Sequence, residues 1–224
     1  MSRDYHPCAV DADGEYTLLE RLELTDKLIQ ESFLQETLHD RPEIIPVDSI
    51  DSSYGPLISL GREIDNIDNL FISPDGRLTL VETKLWRNPQ AVREVVAQIL
   101  DYATRLSQWS YEELQERARK AASPAAGSDW TLHGFVQEHD IPEHPSLSEA
   151  DFIDEVQTSL SNGRFLLLIV GDGIRENLES MMESLHTHPQ KQFTFGLLEL
   201  QLFQDPAVPG RTLILPHLLV KTNE

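Results

Sequence analysis

Three consecutive stretches in the second quarter of the chain, PLISLGREI (56–64), NIDNLFIS (66–73) and RLTLVETKL (77–85), are built from apolar positions at strand spacing. Each predicts a strand. The Ser73-Pro74-Asp75-Gly76 run is a strong turn signal and predicts that the last two form a hairpin. The apolar period then changes: Val92, Val95, Val96, Ile99, Ala103 and Leu106 recur at helical spacing, with Asn88 as cap and Pro89 at the first helical position. A more charged helix is predicted from Ser110 to about Ala122. Upstream, a helix is predicted from about Asp26 to Leu38, entered through Thr25 or Asp26 and stopped by Pro42. EIIPV (43–47) reads as a short extended piece, and Tyr16–Leu19 as a short strand.

The last third alternates again. Residues 149–161 suit a helix, FLLLIV (165–170) a buried strand and 174–187 an amphipathic helix. KQFTFGLLELQLF (191–203) and TLILPHLLV (212–220) are strands, while AASPAAGSDW (121–130) and EHDIPEHPSLSE (138–149) read as loops. This order predicts a mixed α/β sheet with helices on both faces. The expected division is an N-terminal segment, 1–23, and one domain, 24–224, with a C-terminal α/β extension from about 147.

Composition narrows the class. Of the 224 residues 40% are hydrophobic and 25% charged, as in a folded soluble domain. No apolar run is long enough to cross a membrane, and the N-terminus has no signal-peptide core, so a cytoplasmic protein is expected. A single cysteine, Cys8, rules out an internal disulfide or a cysteine zinc cage. The net charge of −20 argues against indiscriminate binding to nucleic acid or anionic membrane. It is unevenly spread: residues 84–120 carry 7 basic and 5 acidic side chains, whereas 1–83 carry 6 and 18. The one stretch that is not acidic begins at Lys84.

Charge also interrupts the strands. On RLTLVETKL, Leu78, Leu80, Glu82 and Lys84 share a face; on NIDNLFIS, Asp68 shares one with Leu70 and Ile72. The hairpin brings Asp68 and Glu82 close, and two facing carboxylates repel unless a proton or cation lies between them. A hard divalent ion resolves that conflict, and Mg²⁺ characteristically takes one or two carboxylates plus waters. On the first helix, Glu31 falls in the stripe of Leu34 and Leu38, whereas Glu36 points away. Gln98 and Tyr102, one turn apart, border the apolar stripe of the helix after the strands.

Asp68, then Glu82-Thr83-Lys84, then a helix bearing Gln98-Ile99-Leu100-Asp101-Tyr102, resembles the PD-(D/E)XK, or restriction-endonuclease-like, nucleases. The Gln-x-x-x-Tyr helix is similar to that of their exonuclease-related branch. ESFLQETLHDRPEIIP resembles the leading helix, and GRFLLLIVGDGIRENLESMMESL the C-terminal half of uncharacterised bacterial members. Ile67 stands where the family often has proline. The resemblance implies an αβββαβ core over residues 26–170 and a nuclease acting on nucleic acid, DNA before RNA. It implies Mg²⁺ or Mn²⁺ held by Asp68, Glu82, the Thr83 carbonyl and Glu31, with Lys84 orienting the attacking water. Gln98 and Tyr102 would fix the site, and Lys84, Arg87, Arg93 and Arg105 would position the nucleic acid. A homodimer or a partner subunit is compatible with it. Two alternatives stand beside this reading: a non-catalytic nuclease-like binding domain, and an acidic interaction protein that meets basic partners.

Other motifs carry less. His186 with His188, and His133, His139 and His144, have no acidic or cysteine partner at matching spacing. Gly171-Asp172-Gly173 reads as a tight strand-to-helix turn, because Asp172 disfavours an anion there. No Gly-x-Ser-x-Gly elbow and no P-loop is present.

Overall fold

A computed structural model describes residues 5–22, 30–85, 91–125, 127, 129–139, 141, 144, 147–172 and 193–222, without the side chains of 91–93. The predicted Asn88-Pro89 cap, the 174–187 helix, His186 and His188 lie outside the described residues.

The three central stretches form β4 (Ile58–Ile64), β5 (Ile67–Ile72) and β6 (Leu78–Leu85). They make an antiparallel meander. The Ser73–Gly76 turn closes with Ser73 N–H donating to the Arg77 carbonyl and Gly76 N–H to that of Ser73. Gly76 sits at φ +77°, where a side chain would be strained. From β6 the chain passes through α3 (Ala91–Leu106), α4 (Tyr111–Ala122), α5 (Leu132–Gln137) and α6 (Glu149–Asn162). It returns as β7 (Phe165–Asp172), parallel to β6. The helix α4 starts on a capping box, in which Ser110 and Glu113 bond each other's backbone N–H. Then β8 (Thr194–Gln204) lies parallel to β7, and β9 (Thr212–Lys221) antiparallel to β8.

Near the N-terminus, β1 (Cys8–Val10) and β2 (Tyr16–Leu18) pair as a separate ribbon. β3 (Glu20–Arg21) joins the main sheet at residues 203–204 of β8. Because β9 occupies the other edge of β8 there, β3 lies on the β7 side, beyond the end of β7. The main sheet has seven strands in the order β3-β8-β7-β6-β5-β4, with β9 on β8.

Helices cover both faces, as predicted. Leu70, Leu78, Leu80, Leu167 and Leu197 face α3, α4, α5 and α6 through Val95, Ile99, Leu114, Leu132 and Phe152. Phe71, Val81, Leu166, Leu168 and Leu198 face α1 (Glu31–Asp40) and α2 (Val47–Asp51) through Leu34, Leu38 and Ile50. No helix of the described residues is long and apolar enough to cross a membrane.

Three local readings need correction. The described helix α1 starts at Glu31, because Gln30 is extended at φ −106°, ψ 159°, so it is not continuous from Asp26. EIIPV is not extended: Pro42–Ile44 is a 3-10 turn with Pro42 at its start, and α2 begins at Val47. The short helix α5 was not predicted between the two loop stretches. Thr131 caps it by accepting from Gly134 N–H, and six residues are too few to show a clear period.

Candidate active site

The ladder between β5 and β6 ends at Asn69 opposite Val81. Beyond it β6 runs on, and among the described residues no strand pairs with its edge on that side. Carboxylates take over. Thr83 N–H and the Thr83 hydroxyl both donate to Asp68 Oδ2, each at 2.7 Å. Leu85 N–H, two residues on and therefore on the same edge, donates to Glu31 Oε1 at 3.2 Å. A strand residue sends its N–H and C=O to one edge, so the Thr83 carbonyl also leaves toward Asp68.

Glu82 sits between these groups, only 3% exposed. Its Oε2 is buried and accepts no hydrogen bond. Burial above all, then the Asp68 carboxylate, pushes the Glu82 carboxyl up to about 8; Lys84 opposes the shift, while Glu31 and Glu63 add to it. At neutral pH Glu82 is therefore mostly protonated when nothing but protein surrounds it. Lys84 follows on the same face and pairs with Glu31, Nζ to Oε1 3.2 Å.

Two polar ties hold α1 against the strands. Asn69, fully buried, donates from Nδ2 to the Gln35 carbonyl at 2.9 Å. His39 Nδ1 meets Ser59 Oγ at 2.6 Å. Together they set Glu31 over the free edge of β6. From the opposite face, α3 brings Gln98 and Tyr102, with Gln98 Nε2 donating to the Tyr102 hydroxyl at 2.7 Å. The Tyr102 hydroxyl is shifted upward, chiefly by burial and also by Glu82 and Asp68, despite the Gln98 bond. Tyr102 packs against the apolar cluster that includes Leu80, the residue before Glu82 on its strand face.

Asp68, Glu82, Thr83, Lys84, Glu31, Gln98 and Tyr102 are thus gathered around the end of β6. What the structure does not form is a ready three-carboxylate cage: among the described residues, no three His, Cys, Asp or Glu side chains are arranged to hold a metal ion. The reason is visible in the bonds. Asp68 Oδ2 is turned to Thr83, and Glu31 is held by Lys84 and Leu85. The donor set still suits a hard cation, because Glu82 Oε2 is a buried oxygen with no donor to satisfy it.

Of the basic residues, Arg87 and the Arg93 side chain lie outside the described residues. Arg105 is engaged, pairing with Asp65 at 2.9 Å and Asp101 at 3.2 Å and stacking over the Tyr102 ring at 4.8 Å. His133 and His139 bond backbone carbonyls, of Leu147 and Phe135. Asp172 ends β7, so the strand runs two residues, Gly171 and Asp172, into the glycine motif.

Sequence reasoning missed two features. Glu63, Asp65 and Asn66 all adopt positive φ in the β4–β5 hairpin, and Glu63 adds to the field on Glu82. The Asp-Asn pair at the tip was the available signal, since these residues tolerate that conformation. A second buried charge cluster was also missed: Arg21 bridges Asp172 at 3.1 Å and Glu199 at 3.7 Å, with Gln201 donating to Glu199 at 2.7 Å. No sequence spacing links residues so far apart in the chain. Comparison with protein-family models, curated proteins and solved structures found no match to this chain.

Proposed function

We propose that this protein is a metal-dependent phosphodiesterase of nucleic acid, DNA before RNA, on a restriction-endonuclease-like core. The observation that carries the proposal is Glu82: a buried carboxyl with an unsatisfied oxygen, raised to about 8 beside Asp68, with Lys84 next on its face. A structural carboxylate is ordinarily hydrogen-bonded; here Oε2 accepts no bond, and the Asp68 carboxylate outweighs Lys84 in the charge that Glu82 feels. The order α1-β4-β5-β6-α3-β7, with β6 and β7 parallel, is compatible with the expected αβββαβ core.

Asp68, Glu82 and the Thr83 carbonyl would hold Mg²⁺ or Mn²⁺, with Glu31 joining directly or through water. When bound, such an ion acidifies a coordinated water and offsets charge on the scissile phosphate. Glu82 would serve as a ligand in its deprotonated form. Lys84 releases Glu31 and turns its ammonium to the attacking water and the phosphate oxygens. Tyr102, fixed by Gln98, limits where the phosphate rests.

A second reading is favoured by one observation, the engagement of Glu31 by Lys84 and Leu85: a nuclease-like domain that binds without cutting. The test is incubation of wild type, Asp68→Asn and Lys84→Ala with single- and double-stranded DNA and RNA, with and without Mn²⁺, alongside calorimetry. Metal-dependent cleavage by wild type alone is expected. No metal binding and no cleavage would leave the binding-domain reading in its place.

A further inference from the structure

Two guanidinium groups, from different helices, converge on one carboxylate beside the candidate active site. Arg105 of α3 reaches Asp65 Oδ2 at 2.9 Å, and Arg117 of α4 reaches Asp65 Oδ1 at 3.4 Å. Each guanidinium is also stacked on an aromatic ring, Arg105 over Tyr102 and Arg117 over Trp109 at 4.3 Å. Stacking fixes the plane of a guanidinium and leaves its N–H edge free to bond. The two edges meet at a doubly accepting anion, the geometry a phosphodiester presents with its two free oxygens.

Position and charge both bear on what else would fit there. Arg105 lies one helical turn beyond Tyr102 on α3, Arg117 stands on α4, and both reach Asp65 in the hairpin that leads into Asp68 of β5, so the arginines flank the candidate site. They belong to the one segment, 84–120, with a positive balance in a chain of −20. Asp65 holds them loosely: its side chain is 29% exposed and those of Arg105 and Arg117 are 34% and 39% exposed. Partly exposed ion pairs of this kind contribute little to stability, so an incoming phosphate competes on even terms. Asp101, the other partner of Arg105, is mostly exposed and still weaker.

We infer that Arg105 and Arg117 form a subsite for a backbone phosphate neighbouring the scissile one, and that Asp65 occupies it until nucleic acid arrives. This rests on the proposed nuclease reading for its substrate and adds Arg117 and Asp65 to the residues involved. Asp65 is then a built-in competitor. Its removal strengthens binding, and removal of Arg117 weakens it.

The experiment measures anisotropy of a labelled 20-nucleotide DNA, single- and double-stranded, against salt in Ca²⁺. Probe length is checked afterwards on a gel. Asp65→Asn keeps the left-handed backbone, because asparagine tolerates it. It is expected to tighten binding about threefold to tenfold, while Arg117→Gln weakens it by a similar factor and lowers the salt slope by about one phosphate contact. A purely structural clamp moves both variants the same way in Tm and neither in affinity. If wild type binds and both variants bind equally well, the subsite is overturned, while Mn²⁺-dependent cleavage of the same probe would keep the nuclease proposal. If the two variants shift affinity in opposite directions but Mn²⁺ elicits no cleavage, the subsite stands and the nuclease reading fails. If wild type binds neither probe, nor RNA of the same length, both are overturned.

Discussion

Asp68 and Thr83 are joined twice through one oxygen, by the Thr83 N–H and the Thr83 hydroxyl, each 2.7 Å from Asp68 Oδ2. A side chain thereby takes the place of backbone pairing and closes the open edge of β6 where its ladder with β5 has ended. The same carboxylate has the largest charge effect on the buried Glu82. Asp68 is consequently both a structural acceptor and a source of repulsion, and substitutions separate the two.

Asparagine at position 68 keeps an oxygen for Thr83 and removes the charge. Asp68→Asn is expected to unfold at the wild-type denaturant concentration or higher, while losing any metal-dependent cleavage. Asp68→Ala leaves two buried donors without an acceptor and is expected to cost about 2–3 kcal/mol. Urea unfolding of the three proteins without divalent metal checks this; equal stability of the alanine variant would show that water replaces the carboxylate.

The raised Glu82 carboxyl makes the metal-free fold depend on pH. Between the ordinary carboxyl value of 4.5 and about 8 the folded state holds a proton that the unfolded state has lost. Stability from this group is therefore complete below about 4.5 and declines as pH rises toward 8. At ~1.4 kcal/mol per pKa unit the loss is on the order of a few kcal/mol. Glu82→Gln, neutral in both states, is expected to flatten that slope. Parallel declines in wild type and variant would assign the pH dependence elsewhere.

The same proton opposes a metal ion. Mn²⁺ binding should release up to one proton per site at neutral pH and tighten as pH rises toward 8. Calorimetry in buffers of different ionisation enthalpy reports the released proton directly. Glu82→Gln is expected to abolish both the release and the Mn²⁺-induced rise in Tm.

Lys84 pairs with Glu31 in a partly exposed position, so Lys84→Ala is expected to cost only about 0–1 kcal/mol. Glu31, freed from the ammonium, should bind Mn²⁺ at least as well as before. Turnover, in contrast, should fall at least tenfold, because the lysine acts on the water and phosphate. A variant with weaker metal binding and undiminished turnover per bound ion would place Lys84 among the structural groups.

The sequence alone determined those features whose cause is local. Strand faces on 56–85, the Ser73–Gly76 turn and the start of a helix at Ser110 follow from spacing and from residues that bond their own neighbours. The alternation on LTLVETKL likewise determined that Glu82 and Lys84 would leave the same apolar face, and the hairpin set Asp68 near Glu82. Glu31 was legible only as a carboxylate in an apolar stripe.

What those groups bond to was decided in three dimensions. Glu31 meets Lys84 and Leu85 because Asn69 and His39 fix α1 over the β6 edge, and those ties span 34 and 20 residues. Arg105 was legible as a basic residue that could position nucleic acid, but its partner Asp65 lies 40 residues earlier, on a hairpin whose tip only the fold brings to α3. Periodicity reports which face a side chain takes. It carries no information about which distant group arrives there, because that depends on how whole elements pack, and packing sums contributions from the entire chain.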